Sequence, residues 1–479
     1  MELYRTKAEV HNRALEAVGK TVKELNGGEQ LGNSHKSGVG DAFEAWFGKS
    51  KDSDREPDMR EAGVELKATP IKQNKNGTLS AKERLVLNII NYEEVVHETF
   101  EESHFLHKNG TIELGFYRWE SGVPKDDFII TDVALYEMSK NEVDFAIIKK
   151  DWEIIDSYIK KGQAHDLSER LTTYLSPCTK GASAKSVRRQ PYSDIMAKQR
   201  AYSLKNGYMT YLYNTYVLGN EQSEAIVTNP LQILNRSLED IILDRFTQYM
   251  GKAQGELMDV FGVNKKSAPN SRNPEIVKGM LGLKSDPGQA QEIQKANIKL
   301  KTIVVNKGAT QNKEEFKLLD YKIAEVSKET WDESELKELL EDTKFLFIVF
   351  EKDGDDEIFK GVKFWEMPHE DIENKVRYVW EDTVNKLNSG VEITYNPKKR
   401  TTNFLNSSEE NILFSKVSAS KASYQKGNPN SDRLPVPAKW INRPEEVEEE
   451  FQDYYITKQA WWLNKKYMYN VIKDLLIDE

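Results

Sequence analysis

Glu44, Asp58, Glu65 and Lys67 follow one another at gaps of 14, 7 and 2 residues, within Gly38-Val39-Gly40-Asp41-Ala42-Phe43-Glu44, Pro57-Asp58 and Gly63-Val64-Glu65-Leu66-Lys67. On a strand, residues i and i+2 face one side, so Glu65 and Lys67 point together while Leu66 faces away. Converging carboxylates suit Mg²⁺, a hard cation that takes oxygen ligands. A cation there polarises a phosphate and activates water, and a lysine beside it orients the water or neutralises developing charge. The pattern points to metal-dependent cleavage of phosphodiesters. Asp58 and Glu65 are the expected direct ligands, Glu44 a supporting acid, and Lys67 the water-orienting cation.

Glu-x-Lys by itself is a weak signal in a chain that is 30% charged, and it recurs at Glu315–Lys317, Glu335–Lys337 and Glu373–Lys375 in segments that read as solvated helix faces. The surroundings of the first pair set it apart. Val64, Leu66 and Ala68 mark a strand with a buried face over 63–69. Asp58 follows a proline, as turn residues at a strand entry do. Ala42, Phe43, Trp46 and Phe47 give the segment around Glu44 the apolar stripe of a helix packed beside that strand.

At 479 residues the chain is long enough for two to four domains. Its single cysteine, Cys178, excludes an internal disulfide framework and a cysteine-rich zinc site, which suits a reducing cytoplasm. No apolar run reaches the length of a membrane span, and the N-terminus lacks the apolar core of a signal peptide. The net charge of −10 argues against sequence-blind nucleic-acid binding, but charge is unevenly spread. Between Thr179 and Lys205 lie Lys180, Lys185, Arg188, Arg189, Lys198, Arg200 and Lys205 against one acid, Asp194. Small residues interleave them, as where backbone approaches a phosphate chain. A histidine centre from His35, His97, His104 and His107 is disfavoured, because their spacing fits no common ligand motif.

The chain also echoes itself. Leu135-Tyr136-Glu137-Met138 with Trp152-Glu153 matches Phe364-Trp365-Glu366-Met367 with Trp380-Glu381, at offsets of 229 and 228. Lys198-Gln199 and Tyr208-Met209 answer Lys458-Gln459 and Tyr467-Met468, and Gly63–Lys67 aligns with Asn297-Ile298-Lys299-Leu300-Lys301. The common order implies a duplicated domain in which Lys299 replaces Glu65, leaving a second copy that holds no Mg²⁺ but still meets phosphate. The expected division is 1–218, a linker at 219–235, and 236–479, with helix over Leu231–Met250 and loops at Asn264–Pro274, Lys284–Gln289 and Gln425–Pro437. Strands at Leu85–Ile90 and Phe345–Phe350 and helices around Trp152 and Trp380 make both halves mixed α/β.

These motifs resemble the GATC-cutting type II restriction endonucleases over nearly the whole chain. The N-terminal half also resembles the mismatch-repair nicking endonuclease MutH, whose Glu…Asp…Glu-x-Lys set falls on Glu44, Asp58, Glu65 and Lys67. Tyr174-Leu175-Ser176-Pro177-Cys178-Thr179-Lys180-Gly181-Ala182 is similar to that enzyme's DNA-reading segment. The resemblance implies a restriction-endonuclease-like (PD-(D/E)xK, MutH-like) α/β fold, tandemly duplicated as a pseudo-dimer. It implies a catalytic N-terminal domain and an inactive, DNA-binding or allosteric C-terminal one. DNA contacts are expected from Lys36, Lys180, Lys185, Arg188, Arg200 and Lys205. The implied reaction is Mg²⁺-dependent cutting of double-stranded DNA before the G of GATC, leaving 5′-phosphates, with Mn²⁺ able to substitute. Ser203 and Cys178 stand where the nicking enzyme has a methylation-sensing tyrosine and an arginine, which favours restriction over hemimethylation-dependent nicking. Implied too are a bacterial cytoplasmic setting, a cognate GATC methyltransferase, and a monomer that dimerises transiently on DNA, since one chain supplies one site for a palindrome. The alternatives are a repair nickase at GATC and an inert DNA-binding regulator.

Overall fold

The computed structural model describes residues 4–31, 38–49, 54–74, 76–120, 122–181, 186–264, 266 and 268–477. The chain divides into two compact units, Met1–Arg245 with Val277–Ile298, and Phe246–Ile276 with Lys299–Glu479.

Unit 1 is built on β1 (Glu65–Gln73), β2 (Leu79–Ala81), β3 (Leu85–Ile89), β4 (Thr111–Arg118) and β5 (Ile130–Glu137). Four of these form one sheet in the order β2-β1-β4-β5. β1 runs parallel to β4, with Glu65 opposite Ile112 and Lys67 opposite Leu114. β4 is buried along all but its last residue, as a central strand covered on both faces must be. Helices α1 (Lys7–Leu15) and α2 (Gly38–Trp46) pack Val10, Ala14, Val39, Ala42 and Phe43 into one core with Leu66 and Ile130. Thr6 and Glu9 close a reciprocal capping box at the start of α1.

Further along unit 1 come α3 (His104–Asn109), α4 (Glu142–Lys160), β6 (Leu175–Thr179), β7 (Val187–Gln190), β8 (Ser193–Lys198), β9 (Arg200–Leu204) and α5 (Asn206–Leu212). A second sheet has the order β3-β9-β6, and β7 and β8 make a separate hairpin. The basic stretch Thr179–Lys205 is thus largely strand among its described residues.

The stretch foreseen as a linker, 219–235, belongs to unit 1. Glu292, on α6 (Gln291–Lys295), accepts the N–H groups of Ile226 and Val227 at 2.8 and 2.9 Å. Glu224 accepts those of Lys284 and Ser285. These carboxylates tie the stretch to the rest of unit 1.

Unit 2 carries β10 (Ile298–Asn306), β11 (Phe316–Tyr321), β12 (Lys344–Asp353) and β13 (Asp356–Trp365). One sheet runs β10-β12-β13, and another places strand Gln459–Leu463 between β11 and strand Leu413–Val417. Trp331, Trp380 and Trp461 anchor its core. The helix expected over Leu231–Met250 is confined to Leu238–Thr247. The proline-bearing stretch expected as a loop at 264–274 instead includes the start of helix Pro269–Leu281, which carries Pro274 within it.

Candidate active site

Three local devices bring the chemistry-bearing residues together. Between Met59 and Val64 the chain folds back sharply, with N–H···O bonds of 2.8 and 3.2 Å in the two directions. Gly63 completes the turn in the left-handed region at φ 64°, a conformation costly for other residues. The turn lays Asp58 beside the start of β1: Leu66 N–H donates to Asp58 Oδ2 at 3.0 Å, and Asp58 N–H to Glu65 Oε2 at 3.2 Å. The second device is Gly115 on β4, opposite Ala68, where a Cβ would meet the Phe43 ring at 2.8 Å. Only a hydrogen there lets α2 approach the sheet closely enough to deliver Glu44. The third is α3. Capped by Ser103 and anchored by the buried Asn109 amide on Asn88, it presents Lys108 to the carbonyls of Asp54 and Glu56 at 2.8 and 2.9 Å.

The result is a cavity of about 500 Å³ lined by Glu44, Asp58, Glu65, Lys67, Lys108 and Arg188 among others. The strand, turn and helix expected for the four motif residues are all present. Lys108 was not found by sequence reasoning; no motif contains it, and only folding brings it to 3.6 Å from Glu65 Oε2.

Glu65 is 2% exposed, and burial pushes its carboxyl upward, opposed chiefly by Lys67, whose Nζ donates to Glu65 Oε1. Burial, reinforced by the Asp58 charge, lifts Glu44 to about 7 against the pull of Lys67 and Lys49. Lys49 Nζ lies 3.0 Å from Asp58 Oδ1. Acids so crowded and desolvated favour a bound cation over three bare charges. The donor set, carboxylate oxygens without thiol or imidazole, fits a hard divalent ion. Asp58 and Glu65 would hold it, with Glu44 in support.

Among the described residues, the group whose ligand atoms already lie within 4.8 Å of one another is a different one, Glu341, His369 and Glu373 of unit 2. Glu373 there is engaged by Lys337 at 2.9 Å and by Trp331 Nε1 at 3.2 Å, so this is an ion-pair cluster. Among the described residues the histidine alternative does not assemble: His107 pairs with Glu56 at 2.8 Å, His97 is exposed, and of these three His104 alone lines the cavity, while His35 lies outside the described residues.

The residues expected to touch DNA separate into two kinds. Lys180 and Arg188 are exposed, and Arg188 lines the cavity. Arg200 is 7% exposed and donates inward to the carbonyls of Pro177 and Leu167, so it braces β6 from within. Lys205 likewise donates to Thr172 O at 2.7 Å. For Arg200 the basic cluster misled, because charge alone does not tell a surface cation from one satisfied by buried carbonyls. Lys36 and Lys185 lie outside the described residues. Ser203 and Cys178 are both buried; the Ser203 and Ser176 hydroxyls meet at 2.9 Å. On β10 of unit 2, Lys299 and Lys301 are exposed, at the positions that sequence alignment sets against Glu65 and Lys67.

Residues 47–151 match the family described as DNA mismatch repair enzyme MutH. Across 99% of this chain and the whole of the relative, the sequence is 49% identical to the type II restriction enzyme Sau3AI of Staphylococcus aureus. It is 29% identical to the DNA mismatch repair protein MutH of Shewanella woodyi over 38% of this chain and 79% of that protein. For the corresponding protein of Pasteurella multocida the identity is 26%, over 32% and 67%.

Proposed function

The chain belongs to the family of the type II restriction enzyme Sau3AI and is a type II restriction endonuclease, and from that premise we propose that it cuts double-stranded DNA at GATC using the cavity of unit 1. The observation that carries the reading is the meeting of Glu44, Asp58, Glu65 and Lys67 in one cavity, bordered by the exposed Arg188.

A divalent cation, Mg²⁺ or Mn²⁺, would supply Lewis acidity and charge neutralisation there. Asp58 and Glu65 hold their oxygens in place through backbone N–H groups, so little reorganisation accompanies reaction. Lys67 positions the attacking water in line with the scissile phosphate, and Arg188 receives a neighbouring phosphate. The bond 5′ of the guanine breaks, leaving a 5′-phosphate and a 3′-hydroxyl.

Unit 2 is read as a duplicated, catalytically silent copy of the same fold that binds DNA. Its β10-β12-β13 order parallels β1-β4-β5 of unit 1, and β11 with strands Leu413–Val417 and Gln459–Leu463 parallels β3, β6 and β9. Lys299 in place of Glu65 leaves β10 without a metal ligand. The enzyme is taken to act in the bacterial cytoplasm beside a GATC methyltransferase, as a monomer that pairs transiently on DNA.

The MutH match favours one other reading, a GATC nickase, which the inward-facing Ser203 and Cys178 oppose. Digestion of a plasmid of known sequence with Mg²⁺, followed by mapping of the ends, separates the two. Linear fragments cut before each GATC are expected, and Glu65→Ala lowers the rate at least about 100-fold. Nicked circles without linear product would establish the nickase, and cleavage surviving Glu65→Ala would place the chemistry elsewhere.

A further inference from the structure

We propose that Lys49 is a built-in counter-ion, seated on Asp58 until a divalent ion displaces it, and that it thereby sets the metal affinity of the site. This rests on the reading of the unit 1 cavity as a metal centre. Lys49 Nζ lies 3.0 Å from Asp58 Oδ1, and the two side chains are only 10% and 8% exposed. The other oxygen, Oδ2, is taken by Leu66 N–H at 3.0 Å, so Oδ1 is the atom that faces a ligand, and the lysine faces it.

Glu65 is arranged in the same way, Oε2 on the Asp58 N–H and Oε1 on Lys67. The two lysines are mounted differently, however. Lys67 stands on β1 itself, whereas Lys49 follows Gly48 (φ 75°) just past the end of α2, with its N–H on Glu44 O at 3.1 Å. The turn that positions Glu44 therefore also positions the competing ammonium. A dication and an ammonium drawn to one carboxylate oxygen repel each other at short range. The metal and Lys49 therefore compete for Asp58 Oδ1, and the affinity of the site is reduced by the cost of that exchange.

Isothermal titration of Mn²⁺ into the full chain without DNA tests this, using wild type, Lys49→Met, Arg55→Met and Glu65→Ala. Arg55 lines the same cavity but pairs with Glu94, so it controls for a general loss of positive charge. Lys49→Met is expected to bind Mn²⁺ at least about fivefold more tightly, a gain of about 1 kcal/mol by the relation of affinity to free energy. Arg55→Met stays within about twofold of wild type. Unchanged or weaker binding by a folded Lys49→Met, or an equal gain in Arg55→Met, overturns the proposal.

Wild-type binding that Glu65→Ala abolishes upholds the metal centre whatever Lys49 does; binding indifferent to Glu65 removes the metal centre and this proposal with it. Should Lys49→Met fail to fold, a Mn²⁺-bound crystal structure of the wild type decides. Lys49 Nζ withdrawn from Asp58 Oδ1 supports the exchange, and Nζ still paired there refutes it.

Discussion

Glu113 lies fully buried on β4, with His11 Nδ1 at 3.0 Å from one carboxylate oxygen and 3.3 Å from the other. Burial lifts its carboxyl from 4.5 to about 7, against the opposing hydrogen bond from His11. A folded-state value above the unfolded one means that the native protein holds this proton more tightly. The stabilisation is complete below about pH 4.5 and is lost as pH rises through about 7, a change of about 3 kcal/mol for a shift of this size. Glu113→Gln removes that slope. Thermal unfolding followed at pH 5 and pH 7.5 should show wild type losing more stability than the variant over this interval. Equal losses would mean that Glu113 does not titrate there. Glu44 is lifted in the same direction, so a cation binding beside it below about pH 7 must first expel a proton.

Among the elements, β6 shows how a buried strand is held in place by side chains from distant segments. Asp151 on α4 is buried and accepts the N–H groups of Thr173, Tyr174 and Leu175 at 2.7, 2.6 and 2.9 Å. Arg200 then takes the Pro177 carbonyl at 2.6 Å. Arg188, on β7, is exposed and turned to the cavity. The two arginines should therefore fail differently. Arg188→Ala leaves the unfolding midpoint in place and lowers the slope of log affinity against log salt by about 1, as loss of one phosphate contact does. Arg200→Ala lowers stability by about 2–4 kcal/mol, because carbonyls lose their donor in a buried place. Denaturant unfolding and salt-titrated DNA binding distinguish them. A stable Arg200→Ala with a reduced salt slope would return Arg200 to the DNA surface.

At the level of the whole molecule, with the unit 1 cavity read as the catalytic site, the described residues of one chain carry one such carboxylate set while a palindrome presents two scissile phosphates. Two chains must meet, or one chain must act twice. With unit 2 read as a DNA-binding copy, a second GATC on the same DNA raises the local concentration of catalytic units. Sedimentation should find monomer in free solution, and plasmid cleavage should run faster per site on two-site than on one-site DNA. Equal per-site rates at matched concentration would discredit pairing through a second site.

Residue order by itself determined the motif and its local geometry. Glu65 and Lys67 share a strand face because side chains alternate, Asp58 sits in a turn after proline, and Glu44 rides an apolar-striped helix. These are short-range consequences of backbone geometry, legible without a fold. The echo between the halves is a feature of the sequence alone; its tryptophans Trp152 and Trp380 lie on helices α4 and Arg377–Ser389. Contacts between distant segments were not legible. Tertiary packing brought Lys108 across to Glu65, let Gly115 admit Phe43, seated Lys49 on Asp58, and turned Arg200 inward. Whether a charge ends beside a carboxylate, a carbonyl or water depends on which remote strand lies opposite it, and that is settled only when the sheet closes.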